Sequence, residues 1–184
     1  MADCFDDINL ENVNHCPNDE TVAGLSTTLY YIPAPHITTF TKPAKTAKYD
    51  VAATILSTGL VADTGKGWKK IDVQVDKNQL TNLQIGSKGN LKLRGQLDVF
   101  IPGFKKALVG FQRAHLNTPM IFGIPDSEGQ MWIIGTPDSP AYFASMSLAS
   151  GTNSEEDSGI TAQIIANSTV FAYDGDLTVL PDTP

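Results

Sequence analysis

The chain has 184 residues, 41% of them apolar and 18% charged, with a mean hydropathy of −0.10. That is enough apolar material to bury the core of one large domain, which excludes wholesale disorder, and 18 threonines give the composition a β bias. The formal net charge of −7 argues against a surface built to grip nucleic acid, which needs clustered lysine and arginine to displace counterions.

The charge is segregated. Residues 1–20 hold six acids and no lysine or arginine, residues 153–184 hold another six and again no base, and all 13 bases lie between Lys42 and Arg113. Such a chain suits docking of one copy's ends on another copy's centre, while solvated acidic termini would serve solubility alone. No apolar run approaches the roughly 18 residues of a membrane span, and MADCFDDINLENVNHC has neither the basic nor the apolar region of a secretory signal.

In chain order, residues 1–24 read as an acidic arm broken by Pro17 and Gly24, expected to lack order in an isolated monomer and to gain it on assembly. Two β-like runs follow, Leu25–Ile32 and His36–Thr41, then the basic connector Lys42–Lys48 and a further strand candidate, Val51–Leu56 (VAATIL). Ser57–Gly67, with three glycines, reads as a mobile loop or a long hairpin tip.

The clearest periodicity lies in the middle. Ile71, Val73 and Val75 alternate with polar residues over Lys70–Asp76. Over Leu91–Ile101, Leu91, Leu93, Leu97, Val99 and Ile101 share one face while Lys92, Arg94, Gln96 and Asp98 take the other, the period-2 mark of a half-buried strand. Ser87–Asn90 supplies the turn from a preceding strand, Leu80–Gly86.

A helix is expected at about 103–116, where Phe104, Leu108 and Phe111 fall at i, i+4 and i+7, its apolar stripe laid on one face of a sheet. Met120–Ile124 and Met131–Ile134 then form a hairpin, Ala141–Leu148 a further strand, Ser150–Gly159 an acidic loop, and the alternating run from Ile160 another strand. Val170–Tyr173 extends that strand or starts its partner, and Asp174–Pro184 forms a short tail. The expected fold is mainly β (α+β): two packed antiparallel sheets, sandwich- or barrel-like, of around nine strands with one flanking helix. Residues 1–24 form the arm, 25–176 the domain and 177–184 the tail.

Motifs for chemistry are weak. Asp63-Thr64-Gly65 follows the apolar run Leu60-Val61-Ala62, as the carboxylate of an aspartic protease would, and Ile133-Ile134-Gly135 resembles the second element of retroviral-type enzymes. Lys66 and Gly67 then depart from the pattern, and Thr136–Pro140 cannot supply the helix that should follow, so a dimeric protease using Asp63 is the minor alternative to a plain turn. Cys4, His15 and Cys16 do not have zinc spacing, the two cysteines read as reduced thiols, and His36 and His115 stand alone. Asp6-Asp7 and Glu155-Glu156-Asp157 lack the spacing of a calcium loop. The expectation is a non-enzyme with no catalytic, metal or cofactor site.

From about residue 100 to 176, the order GFKKALVGFQRAHL, TPMIFGIPDSEGQMWIIGTPDSPAYFAS, SGTNSEEDSG, ITAQIIANSTVFAYDG resembles phage virion structural proteins, most of all the tail-tube class. The resemblance implies a β-sandwich with one flanking helix, packed into hexameric rings that stack as a channel for genome passage. It also implies a location in the virion after synthesis in the bacterial cytoplasm, and contact with neighbouring virion proteins. DNA would then be a non-specific cargo, no membrane would be involved, and net acidity would keep the cargo from sticking to the wall. In that setting sheet edges pair between copies, the polar face of Leu91–Ile101 suits a lumen, and loops such as Ser57–Gly67 bridge to the next ring. A capsid-decorating protein or a head–tail connector is the alternative within the same class.

Overall fold

The structure, a computed structural model, describes residues 10–13, 23–153 and 155–181. Apart from residues 10–13 and 23–24, the arm lies outside the described residues, together with its Cys4, His15 and Cys16.

Twelve strands are described, in three sheets. A six-stranded sheet runs in the order β3 (Thr54–Leu56), β12 (Phe171–Asp174), β9 (Met131–Ile134), β8 (Met120–Pro125), β1 (Thr28–Pro33), β5 (Lys69–Asp72). A four-stranded sheet runs β10 (Tyr142–Ala149), β11 (Gly159–Ala166), β7 (Lys92–Pro102), β6 (Gln79–Ile85). The third is the pair β2 (Ile37–Phe40) and β4 (Leu60–Ala62). The fold is mainly β with packed sheets, in agreement with the sequence reading.

Between the two large sheets lies one core, in which Leu97, Val99 and Ile101 of β7 and Ile160, Ala162 and Ile164 of β11 meet Leu29, Phe122, Ile124 and Ile134. A second core lies on the other side of the six-stranded sheet, where Ile32, Ile55, Ile121, Ile133 and Tyr173 are joined by Leu60 and Trp68. The six-stranded sheet is therefore buried on both faces. That explains the unbroken apolar run at its centre: Met120 through Ile124 are all buried, whereas β7 and β11, with one face toward water, alternate. Each fully buried large side chain in these layers contributes about 1.5–3 kcal/mol of transfer free energy.

Several details differ from the sequence reading. The run VAATIL divides: Tyr49–Ala53 is a short helix, α1, and only Thr54–Leu56 is strand. Asp50 Oδ1 accepts from the Val51 amide at 2.8 Å, and the Thr54 hydroxyl donates to the Asp50 carbonyl at 2.7 Å, bonds that favour a turn over an extended run. The strand β3 pairs with β12 in parallel, so that sheet is not wholly antiparallel. Within Ser57–Gly67, expected as a mobile loop or a long hairpin tip, a 3-10 turn at Ser57–Gly59 leads into β4. Alternation over Lys70–Asp76 stops at β5, and Val75 is exposed.

The amphipathic helix α2 spans Lys106–Ala114. Its stripe does not lie flat on a sheet face. Phe111 packs edge-on against Phe143 at 5.7 Å and Tyr31 at 5.8 Å, between one strand of each large sheet, and Phe104 is exposed. The described part of the C-terminal tail lies against Trp68: the Trp68 amide donates to the Thr178 carbonyl at 3.0 Å, and the Leu180 amide to the Trp68 carbonyl at 3.1 Å.

Candidate functional site

The four-stranded sheet ends in two long strands. Among the described residues, seven-residue β6 pairs only with β7, in register from Gln79↔Asp98 to Ile85↔Lys92, and eight-residue β10 pairs only with β11. An outer strand of this length presents a row of main-chain donors and acceptors, a template for a further strand.

The two edges differ. On β10 the ladder shifts between Phe143 and Ser145, and the Gln112 side-chain amide of α2 donates to the Met146 carbonyl at 2.9 Å. The bulge and this cap blunt that edge. Within β6, Gln79, Asn82, Leu83 and Gln84 are exposed.

The outward face of this sheet is polar around Asp98, with Phe100, Ile165 and Leu83 also on it. Asp98 is its centre: one carboxylate oxygen accepts from Gln96 at 2.8 Å and the other from Gln163, on the neighbouring strand, at 3.0 Å. Arg94 Nε donates to the Asn167 side-chain oxygen at 3.1 Å. At the β6 start, Lys77 pairs with Asp157 and lies 5.1 Å from the centre of the Phe100 ring. The polar side of β7 thus faces away from the core, as its alternation predicts.

Leu91 and Leu93 share the apolar side of β7 but not its burial. Burial begins at Gly95, so Leu91 and Leu93 stay 50% and 44% exposed, and Leu83, on the paired strand, 42%. The β6–β7 hairpin therefore runs past the core, carrying three leucines together with Lys88, Lys92 and Arg94. Its tip is closed by a bond of 2.8 Å from the Asn90 amide to the Ser87 carbonyl. Beside the hairpin lies an open trough of about 550 Å³, floored by Leu93, Trp132, Val170 and Phe171 and walled by Tyr49, Lys42 and Lys45.

The other sequence candidates are dispersed. Asp63 sits in a turn beyond β4, where its carboxylate accepts from the Thr64 amide at 2.8 Å and its carbonyl from the Lys66 amide at 2.9 Å. Ile133 and Ile134 lie in β9, in a different sheet from β4. His36 ends a 3-10 turn and accepts through its carbonyl from the Asp63 amide at 2.8 Å. His115, at the end of α2, packs on Phe111 at 4.6 Å. Its Nδ1 is buried with no hydrogen-bond partner among the described residues, and burial lowers its pKa below 6.5. Glu156 turns back on its own loop, accepting from the Thr152 amide at 2.7 Å, and these bonds lower its pKa. No group of three or more His, Cys, Asp or Glu suited to a metal occurs among the described residues.

Sequence reasoning missed the projecting hairpin and the cap on β10. Gly95 between Leu93 and Leu97 was the available signal for the first, because it interrupts the apolar file where the core ends. No family model, curated protein or solved structure matches the chain.

Proposed function

We propose that this chain is a structural subunit of a virion, which self-associates through its sheet edges into rings that stack as a tail tube. The observation that supports this reading most strongly is β6, a seven-residue outer strand that, among the described residues, pairs with β7 alone. Head-to-tail docking of the β6 edge on a different surface of the next copy is a heterologous contact, and it yields a closed ring when the rotation per copy closes.

The outward sheet face fits the same role. Gln79, Thr81, Gln96, Gln163 and Ser147 surround a single central carboxylate, Asp98. Next to Asp98 this face carries neutral amides and hydroxyls. The bases that share it stand toward its two ends, Arg94 bonded to Asn167 and Lys77 paired with Asp157, so a sliding polyanion meets few fixed cations at its centre. Genome passage through a ring lined by this face is the function we assign.

Negative-stain electron microscopy of the purified full chain tests the reading. Rings or tubes are expected, and a chain that stays monomeric at high concentration overturns it. Rings that never stack would point instead to a connector within the virion.

A further inference from the structure

The trough beside the β6–β7 hairpin has a character that calls for a particular occupant. Leu93, Tyr49, Trp132 and Phe171 make it apolar, and Lys42 and Lys45 stand on its wall. Tyr49 and Leu93 are 43% and 44% exposed, an apolar surface left open to water in a single copy. Its ligand must therefore combine aliphatic or aromatic side chains with negative charge.

The chain contains a segment of that kind. Residues 1–13 read MADCFDDINLENV, in which Phe5, Ile8, Leu10 and Val13 are interleaved with Asp6, Asp7 and Glu11, without a single base. The described part of this segment already lies near the trough. Glu11 accepts from the Tyr49 amide at 3.1 Å, while Leu10 and Val13 are 83% and 84% exposed, so these two apolar side chains are not buried by the copy that carries them.

We infer that the trough receives the acidic N-terminal segment, residues 1–13, of a second copy of this chain. Phe5 and Ile8 supply apolar contact with the trough floor, and Asp6 and Asp7 meet Lys42 and Lys45. The exchange ties neighbouring subunits by a contact separate from the β6 edge, and it assigns a role to the segregation of acids and bases along the sequence. Lys42 is shared: it also pairs with Asp138 at 2.8 Å on the exposed surface, a contact of small energetic weight. The inference rests on the self-assembly reading above.

Charge exchange between two full-length variants tests it. Lys42→Glu/Lys45→Glu and Asp6→Lys/Asp7→Lys should each weaken self-association at least about tenfold in sedimentation velocity, because like charges then meet in the trough. Each variant's melting temperature, measured at a dilution where the unaltered chain is also monomeric, should match that of the unaltered chain. Mixing the two variants should restore association, since each arm then finds a complementary trough on the other chain. Undiminished association of the separate variants would overturn the inference while leaving the tube reading intact. Restoration only when all four substitutions sit in one chain would show the segment docking on its own copy, which also overturns it. If the unaltered chain does not associate at all, the tube reading itself fails.

Discussion

The Gln112 side chain of α2 donates a hydrogen bond of 2.9 Å to the main-chain carbonyl of Met146, so a helix residue occupies a position on the β10 edge that another strand would otherwise take. Replacing it tests whether α2 guards that edge. Gln112→Ala removes one hydrogen bond, worth about 1 kcal/mol, and should lower the melting temperature by roughly 2–4 °C. Light scattering should show more association than in the unaltered chain, because the carbonyl becomes available to a partner strand.

Leu83→Lys should act in the opposite way. The residue is 42% exposed on the outer strand β6, so the substitution should change stability by no more than about 0.5 kcal/mol. A charge on an outer strand discourages further pairing, and association measured by sedimentation should be lost.

The β6–β7 hairpin depends on its glycine hinge. Gly86 has φ +106, and a Cβ there would lie 2.4 Å from the Asn90 carbonyl oxygen. Gly86→Ala should therefore cost more than about 1 kcal/mol, measured by urea unfolding, and should raise amide exchange at Ser87–Asn90.

Stability should fall in mild acid through His115. Burial holds its folded pKa below 6.5, so the unfolded chain binds more protons as pH drops. The contribution is complete above pH 6.5 and declines as pH falls from 6.5 toward the folded value. Urea midpoints at pH 7.5 and 5.5 should show this decline, and His115→Leu, which keeps an apolar side chain against Phe111 and Tyr31, should reduce it.

What the sequence disclosed followed burial. Alternation over Gln96–Ile101 and the unbroken run Met120–Ile124 each reported how many faces of a strand meet a core. Three-residue strands left no such trace. β3 and β4 are too short to show a period, and the Asp50 and Thr54 bonds that make α1 helical depend on local geometry rather than on apolar spacing. The docking of Thr178 and Leu180 on Trp68 was hidden for a different reason: it joins residues more than a hundred positions apart through main-chain groups, which every residue type carries. At the candidate site, the polar face of β7 was legible, whereas the exposure of Leu91 and Leu93 was not legible in their alternation, which continues past the core; only Gly95 marks where the core ends.

Hydrogen exchange of the β6 amides, Gln79–Ile85, followed from dilute to concentrated full-length chain, bears most directly on association through that edge. The account predicts that the alternate β6 amides pointing away from β7 exchange fast at high dilution and become strongly protected once copies associate. Exchange at β6 that stays the same at every concentration would contradict it.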